Sequence, residues 1–106
     1  MYNIVFSPES IKDLEEVKAY IAEELCNGQA ATKTVSQILK NIRRLSKFPE
    51  SGSLLSSVVG FDTHYRFLMC GNYVAFYRLG ENEVRVVRIL YGRRNFMQIL
   101  FGEPEE

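Results

Sequence analysis

Residues 65–91 read YRFLMCGNYVAFYRLGENEVRVVRILY, and this stretch decides the fold. It divides into three apolar, β-branched and aromatic runs, Tyr65–Cys70, Tyr73–Leu79 and Val84–Tyr91, parted by Gly71-Asn72 and by Gly80-Glu81-Asn82-Glu83. Runs of this composition between turn residues are strands, so the stretch predicts an antiparallel meander. A two-residue Gly71-Asn72 turn pairs Met69 with Val74 and Phe67 with Phe76 on one face. It pairs Cys70 with Tyr73, Leu68 with Ala75 and Arg66 with Tyr77 on the other, because turn length fixes register. Centring the second turn on Glu81-Asn82 adds Val87 beside Phe76 and Ile89 beside Val74. The Phe67/Phe76/Val87/Ile89 face is therefore the expected core. The same register sets Arg88 opposite Ala75 and Val86 opposite Tyr77, so Arg66, Tyr77 and Arg88 converge on an open sheet face.

Upstream, Tyr2, Ile4 and Phe6 alternate as in a short strand until Ser7-Pro8-Glu9 ends the pattern. Ser7 suits a helix cap and Pro8 the first turn, where a missing N–H costs nothing. Ile11, Leu14, Val17, Ile21 and Leu25 then recur at helical spacing over an acidic outer face, and Asn27-Gly28 is expected to end this helix. A second stripe, Ala31, Val35, Ile38, Ile42 and Leu45, is closed by Phe48-Pro49. It carries Lys33, Lys40, Arg43, Arg44 and Lys47 without one acid, either a solvated face or a binding surface. The Ser/Gly-rich stretch from Glu50 to Phe61 reads as a loop or short irregular strand. Past Gly92-Arg93-Arg94-Asn95, the residues Phe96, Met97, Ile99, Leu100 and Phe101 predict a short helix or docked tail, with Glu103, Glu105 and Glu106 in solvent. The expected architecture is α+β: a two-helix hairpin packed on one face of a small, mainly antiparallel four-stranded sheet, with residues 1–106 as one domain.

Composition narrows the function classes. The chain has 106 residues, 46% hydrophobic and 25% charged, enough for one core without staples. Thirteen basic residues balance thirteen acids, which argues against a protein that coats nucleic acid by charge alone. Cys26 and Cys70 stand far apart in apolar surroundings with no metal-ligand spacing, so both are expected to be buried free thiols, and no metal site is expected. There is no apolar run long enough to span a membrane and no basic start followed by an apolar segment, so a cytoplasmic bacterial-style protein is expected. His64 is the single histidine, and neither a catalytic triad motif nor a Gly-rich phosphate loop occurs. No cofactor is expected.

The arginines are the unusual feature. Strand centres rarely carry charge, so Arg66 and Arg88 need either an acid or a ligand, or Arg66 lies over the Tyr77 ring. As an anion platform they would offer guanidinium forks beside a tyrosine able to stack on a base, with Arg93 and Arg94 extending the surface at the strand end. Residues 60–101 hold six arginines against three acids, a local positive balance inside the neutral total.

The order strand, helix hairpin, loop and meander, with YVAFYR at residues 73–78 and VVRILYGRRN at residues 86–95, resembles the RelE/ParE superfamily of toxins from bacterial type II toxin–antitoxin modules. The resemblance covers nearly the whole chain and is most specific from Arg88 to Arg93. It implies a small growth-inhibiting toxin, often associated with plasmid stabilisation. A cognate antitoxin wraps and neutralises such a toxin, and the complex reaches operator DNA only through the antitoxin. Two activities occur in the superfamily. In the RelE-like endoribonucleases, which act without a metal on mRNA in the ribosome, an arginine follows the first aromatic residue of the third strand; here that position is Val74, and Leu100 falls where their tail tyrosine stands, although Arg94 matches. The helix hairpin and the Arg88–Asn95 run are more similar to ParE-like members, non-enzymatic poisons of DNA gyrase. A degenerate, non-toxic antitoxin-binding module is the third reading. On the favoured one, Arg66, Tyr77, Arg88, Tyr91, Arg93 and Arg94 form the target-binding surface, with no catalytic residue assigned.

Overall fold

The computed structural model describes residues 1–92 and 95–102. Strand β1 (Asn3–Phe6) leads into helix α1 (Pro8–Ala19), which continues as a π-helical turn over Tyr20–Glu24. Ser7 caps α1, its hydroxyl accepting from the Ser10 N–H at 3.0 Å, and Pro8 occupies the first turn. Helix α2 (Gly28–Arg43) runs back, followed by a single 3-10 turn at Arg44–Ser46. Asn27 both closes the first helix, its N–H donating to the Ile21 carbonyl at 3.3 Å, and starts the second, its side chain accepting from the Ala30 N–H at 3.0 Å. Asparagine is a strong N-cap, and the first helix unwinds through its wider π turn before reaching it.

The sheet has five strands, not four, in the order β1-β5-β4-β3-β2. The added one is β2 (Ser53–Leu54), two residues from the Ser/Gly-rich stretch that pair with Phe67 and Arg66, followed by a helical turn α3 (Ser56–Val59). Strands β3 (Tyr65–Cys70), β4 (Tyr73–Gly80) and β5 (Glu83–Tyr91) form the antiparallel meander, and β1 adds parallel to β5 at the edge. The first hairpin has the expected register, from Tyr65 opposite Arg78 to Cys70 opposite Tyr73. Gly71 supplies the left-handed backbone its turn requires, at φ 65°.

The second hairpin starts in the expected register, with Tyr77 opposite Val86, and then slips at a bulge between Tyr77 and Phe76. Val87 is left without a partner, and Phe76 faces Arg88, Ala75 faces Ile89 and Val74 faces Leu90. One inserted residue reverses the in/out parity of everything beyond it.

Face assignment is where the structure departs most from the sequence reading. The helix hairpin covers the opposite face: Tyr73, Ala75, Tyr77, Val84, Val86 and Ile89 pack against Val17, Ile21, Ala31, Ile38 and Ile42. The Phe76 face is buried as well, but by other elements. Leu55, Val74, Phe76 and Leu90 form a second cluster with Phe67 and Val87, covered by α4 (Phe96–Phe101) and α3. Phe96 stacks on Phe76 at 5.5 Å between ring centroids, and Phe101 meets Tyr65 and Phe61 edge-on. The sheet is thus cored on both sides, with Tyr73 and Tyr77 under the hairpin and Phe67 and Phe76 under α3 and α4. Met69, expected in the core, is 57% exposed.

Cys70 is buried and free, as expected, whereas Cys26 is exposed, in the connection between α1 and α2 at φ 51°. A connection carrying polar backbone stays at the surface, and a thiol there goes with it. Among the described residues no helix is long and apolar enough to cross a membrane.

Candidate functional site

The open face on which Arg66, Tyr77 and Arg88 were expected to converge does not exist. Tyr77 is fully buried on the hairpin side. Its hydroxyl donates to the Pro49 carbonyl at 2.8 Å and accepts from the Gly52 N–H at 3.0 Å. Arg66 donates to the Gly52 carbonyl at 3.0 Å. These two side chains pin the strap that becomes β2 across the edge of β3. A side chain at position 52 has no room, since a Cβ there would lie 2.5 Å from the Tyr77 hydroxyl. Burial raises the Tyr77 phenol above its usual pKa, partly offset by the Gly52 N–H and the Arg66 charge. No cation–π contact joins Arg66 to Tyr77; the described example is Arg78 over the Tyr65 ring, 5.6 Å from its centroid.

Arg88 finds an acid. Asp13 of α1 accepts from Arg88 Nε at 2.8 Å and Nη2 at 2.9 Å, and from the Ile89 N–H at 2.9 Å. These hydrogen bonds raise the guanidinium pKa further, against the effect of its burial. The carboxylate ties α1 to β5 just past Phe6, where β1 stops pairing, and so satisfies the edge N–H that a neighbouring strand would otherwise take. No like-charge pair needing a ligand remains at Arg88.

Tyr91 alone among the described site residues stands open. It is 60% exposed at the end of β5, its ring edge-on to Tyr73 at 5.3 Å and 74°. Two concavities meet here, both lined by Gly71, Asn72 and Tyr91. The larger, about 900 Å³, is a cleft between the hairpin and the sheet end, walled by Tyr20, Leu25 and Gln37 on the helices and Tyr73 and Ile89 on the sheet. The smaller, about 460 Å³, is an apolar groove on the other face between α3 and β3, lined by Val58, Met69 and Phe96. Burial pushes the Cys70 thiol at the floor of the cleft up to about 11, so it is no nucleophile near neutral pH. Tyr73 is also raised, by burial first and then by the neighbouring Tyr91 and Tyr20. Among the described residues no cluster of three or more His, Cys, Asp or Glu could hold a metal ion. Arg93 and Arg94 lie outside the described residues, as do Glu103, Glu105 and Glu106.

Compared with known proteins, residues 4–96 match the sequence profile of the ParE toxin of the type II toxin–antitoxin system parDE. The chain belongs to the ParE toxin family. The fold is similar to that of a chain in the chromosomal ParDE toxin–antitoxin system from P. aeruginosa, with a TM-score of 0.74 at 20% identity, over 88% of this chain and 98% of that one. No curated protein matches the sequence significantly.

The family match extends from β1 through Tyr91 to the first residue of α4, so it takes in the hairpin, the meander and both walls of the cleft. Sequence reasoning named Tyr91 as a candidate site residue but not its neighbours in the cleft, Tyr20 and Tyr73. Tyr20 carried a usable signal, as a large aromatic on the polar side of the α1 stripe four residues after Glu16. Tyr73 carried none, because its pairing with Tyr91 depends on the bulge.

Proposed function

We propose that this ParE-family toxin inhibits growth by binding DNA gyrase, without catalysing a reaction, and that a cognate antitoxin segment occupying the cleft between hairpin and sheet neutralises it. The observation that carries the reading is the cleft: about 900 Å³, open to solvent, with Tyr20, Leu25 and Tyr91 each more than half exposed around it. An apolar helix or strand fits such a groove. The solved structure with the similar fold comes from a toxin–antitoxin system, in keeping with a partner of that kind. Operator DNA would be reached through the antitoxin.

A non-enzymatic mode is supported by Val74, which occupies the position matched to a nuclease arginine and is buried in the second core. On this reading Tyr91, with Arg93 and Arg94 after it, contacts the target, while Arg66, Tyr77 and Arg88 hold the scaffold that presents them. Induction of the chain alone in a bacterial host, then together with its antitoxin, tests the proposal. Growth arrest with a DNA-damage response, relieved by the antitoxin, and inhibition of gyrase supercoiling by the purified protein are expected. Arrest of translation with mRNA cleavage would replace gyrase by the ribosome. An antitoxin that binds a chain without toxicity would leave a non-toxic binding module.

A further inference from the structure

We propose that Tyr20, Tyr73, Tyr91 and Glu16 form a corner of the cleft that receives an arginine side chain of the partner polypeptide. The inference rests on the reading of the cleft as the antitoxin's seat. The Tyr73 and Tyr91 rings meet at 74° with centroids 5.3 Å apart, two walls at nearly a right angle. Tyr73 is 9% exposed and held by packing, while Tyr91 and Tyr20 are 60% and 55% exposed. Tyrosine ring faces are electronegative and attract a cation within about 6 Å of the centroid. Among the described residues the cation set over an aromatic ring is Arg78, over Tyr65, and none stands over these three.

Charge on the walls points the same way. Glu16 precedes Tyr20 by four residues, so both lie on one side of α1 and both line the cleft. Asp13 lines it too, but its oxygens are taken by Arg88 and the Ile89 N–H. Glu16 has no ion-pair partner among the described residues, and neither has Lys33 on the α2 wall. The cleft therefore presents the Glu16 carboxylate on the α1 side, aromatic rings at the sheet end, and Lys33 on the α2 side. An incoming cation is directed to the α1 side, away from Lys33. Arginine suits the corner better than lysine, because a planar guanidinium can lie on one ring while its N–H groups reach a carboxylate.

The probe is N-acetyl-arginine amide, titrated into the whole chain with its tyrosines ring-labelled for NMR. Saturable shifts at Tyr73 and Tyr91 are expected, with binding about tenfold weaker for the isosteric apolar N-acetyl-norleucine amide. Glu16→Gln, which should leave the melting temperature unchanged, and Tyr91→Ala, which also removes an edge-on ring contact, should each weaken the arginine probe several-fold. Absence of saturable shifts, equal binding of both amides, or unaltered binding in both variants would overturn the proposal. So would binding that emerges only in the Arg93→Ser, Arg94→Ser double variant, because the corner would then be filled by the chain's own arginine. Co-purification of the antitoxin with the wild-type chain is scored separately. If it persists when the amide titration fails and is weakened by Leu25→Ser, at a position lining the cleft outside the corner, the cleft remains the antitoxin's seat without an arginine corner; if it fails, or is unaltered by Leu25→Ser, the cleft reading itself is lost.

Discussion

Arg88 and Asp13 lie 75 positions apart in sequence and are joined by two hydrogen bonds of 2.8 and 2.9 Å. An arginine in mid-strand announces that something must neutralise it, and the sequence shows this much. It does not show which of thirteen acids does so, because helix-to-strand contact depends on packing geometry that no local pattern encodes. The pair also changes what its removal should do. Two unpaired guanidinium groups on one face would be relieved by deleting either, whereas a carboxylate buried against its partner is stranded when the partner goes. Arg88→Ala should therefore destabilise the fold by about 3 kcal/mol, leaving Asp13 with the Ile89 N–H alone. Asp13→Ala should cost a comparable amount: the Arg88 side chain is 28% exposed and can turn to water, but the buried Ile89 N–H loses its acceptor, at about 1–3 kcal/mol. Urea unfolding of both variants checks this, and an Arg88→Ala protein as stable as the parent would refute the account. Cys70 offers a second residue-level test. Its ordinary value of 9.0 rises to about 11 in the folded chain, so the fold favours the neutral thiol. Its stabilising contribution is complete below pH 9 and is lost as pH climbs towards 11, by about 1.4 kcal/mol per unit and no more than roughly 3 in all. Tyr73 and Tyr77, also raised, add to the loss at the upper end. Between pH 8 and 10 the urea midpoint should fall further for the parent than for Cys70→Ala, and equal slopes would show that the thiol is not the cause.

At the scale of the elements, the strands other than β2, both long helices and the helical tail were legible from periodicity and turn residues, and so was the first hairpin's register; β2, two residues of a Ser/Gly-rich stretch, is too short to show a period. The second register was legible only as far as Tyr77 opposite Val86, because a bulge leaves no mark in apolar alternation when Val86 and Val87 are identical residues. That single slip sends Ile89 to the hairpin face and Leu90 to the other. The Phe67/Phe76 face was also expected to be the one under the hairpin, whereas α4, six residues long, covers Phe76 with its own Phe96. Phe76 is 3% exposed, so its truncation opens a cavity whichever helix covers it. Phe76→Ala should cost about 3–5 kcal/mol. The two covers differ in what accompanies that loss. If α4 is the cover, Phe76→Ala releases the tail, and amide exchange should accelerate over Phe96–Phe101 while Ile38 and Ile42 in α2 stay protected relative to the global opening rate. Loss of protection in α2 before α4 would restore the hairpin as its cover.

The whole molecule is broad and flat, with extents of 43 × 41 × 21 Å and a radius of gyration of 14.0 Å, against about 13 Å for a compact chain of this length. The thin dimension follows from the architecture: one sheet, a helix hairpin over one face, and a six-residue helix over part of the other. Such a layer leaves the sheet end at Gly71, Asn72 and Tyr91 bordered by a concavity on each side. The candidate binding surface was only partly visible in the sequence, because exposure of Tyr20 and Tyr91 results from the hairpin and the sheet diverging at that end rather than from any motif. A polypeptide that fills the cleft binds the folded chain and not the unfolded one, so mass action must raise apparent stability. With the antitoxin segment free at a hundred times its Kd, the gain is about 2.7 kcal/mol. At roughly 4–8 °C per kcal/mol for a domain of about this size, the melting temperature should rise by the order of 10–20 °C. Calorimetry of the chain alone and with increasing antitoxin should show a rise that grows with the logarithm of antitoxin concentration. Tyr20→Ser with Leu25→Ser, which alters the wall of the cleft at two exposed positions, should reduce that rise while shifting the melting temperature of the free chain by no more than about 4–8 °C, since exposed substitutions cost little. A rise that is the same for this variant as for the parent would move the antitoxin's seat out of the cleft, with the apolar groove beside Met69 as the next surface to alter.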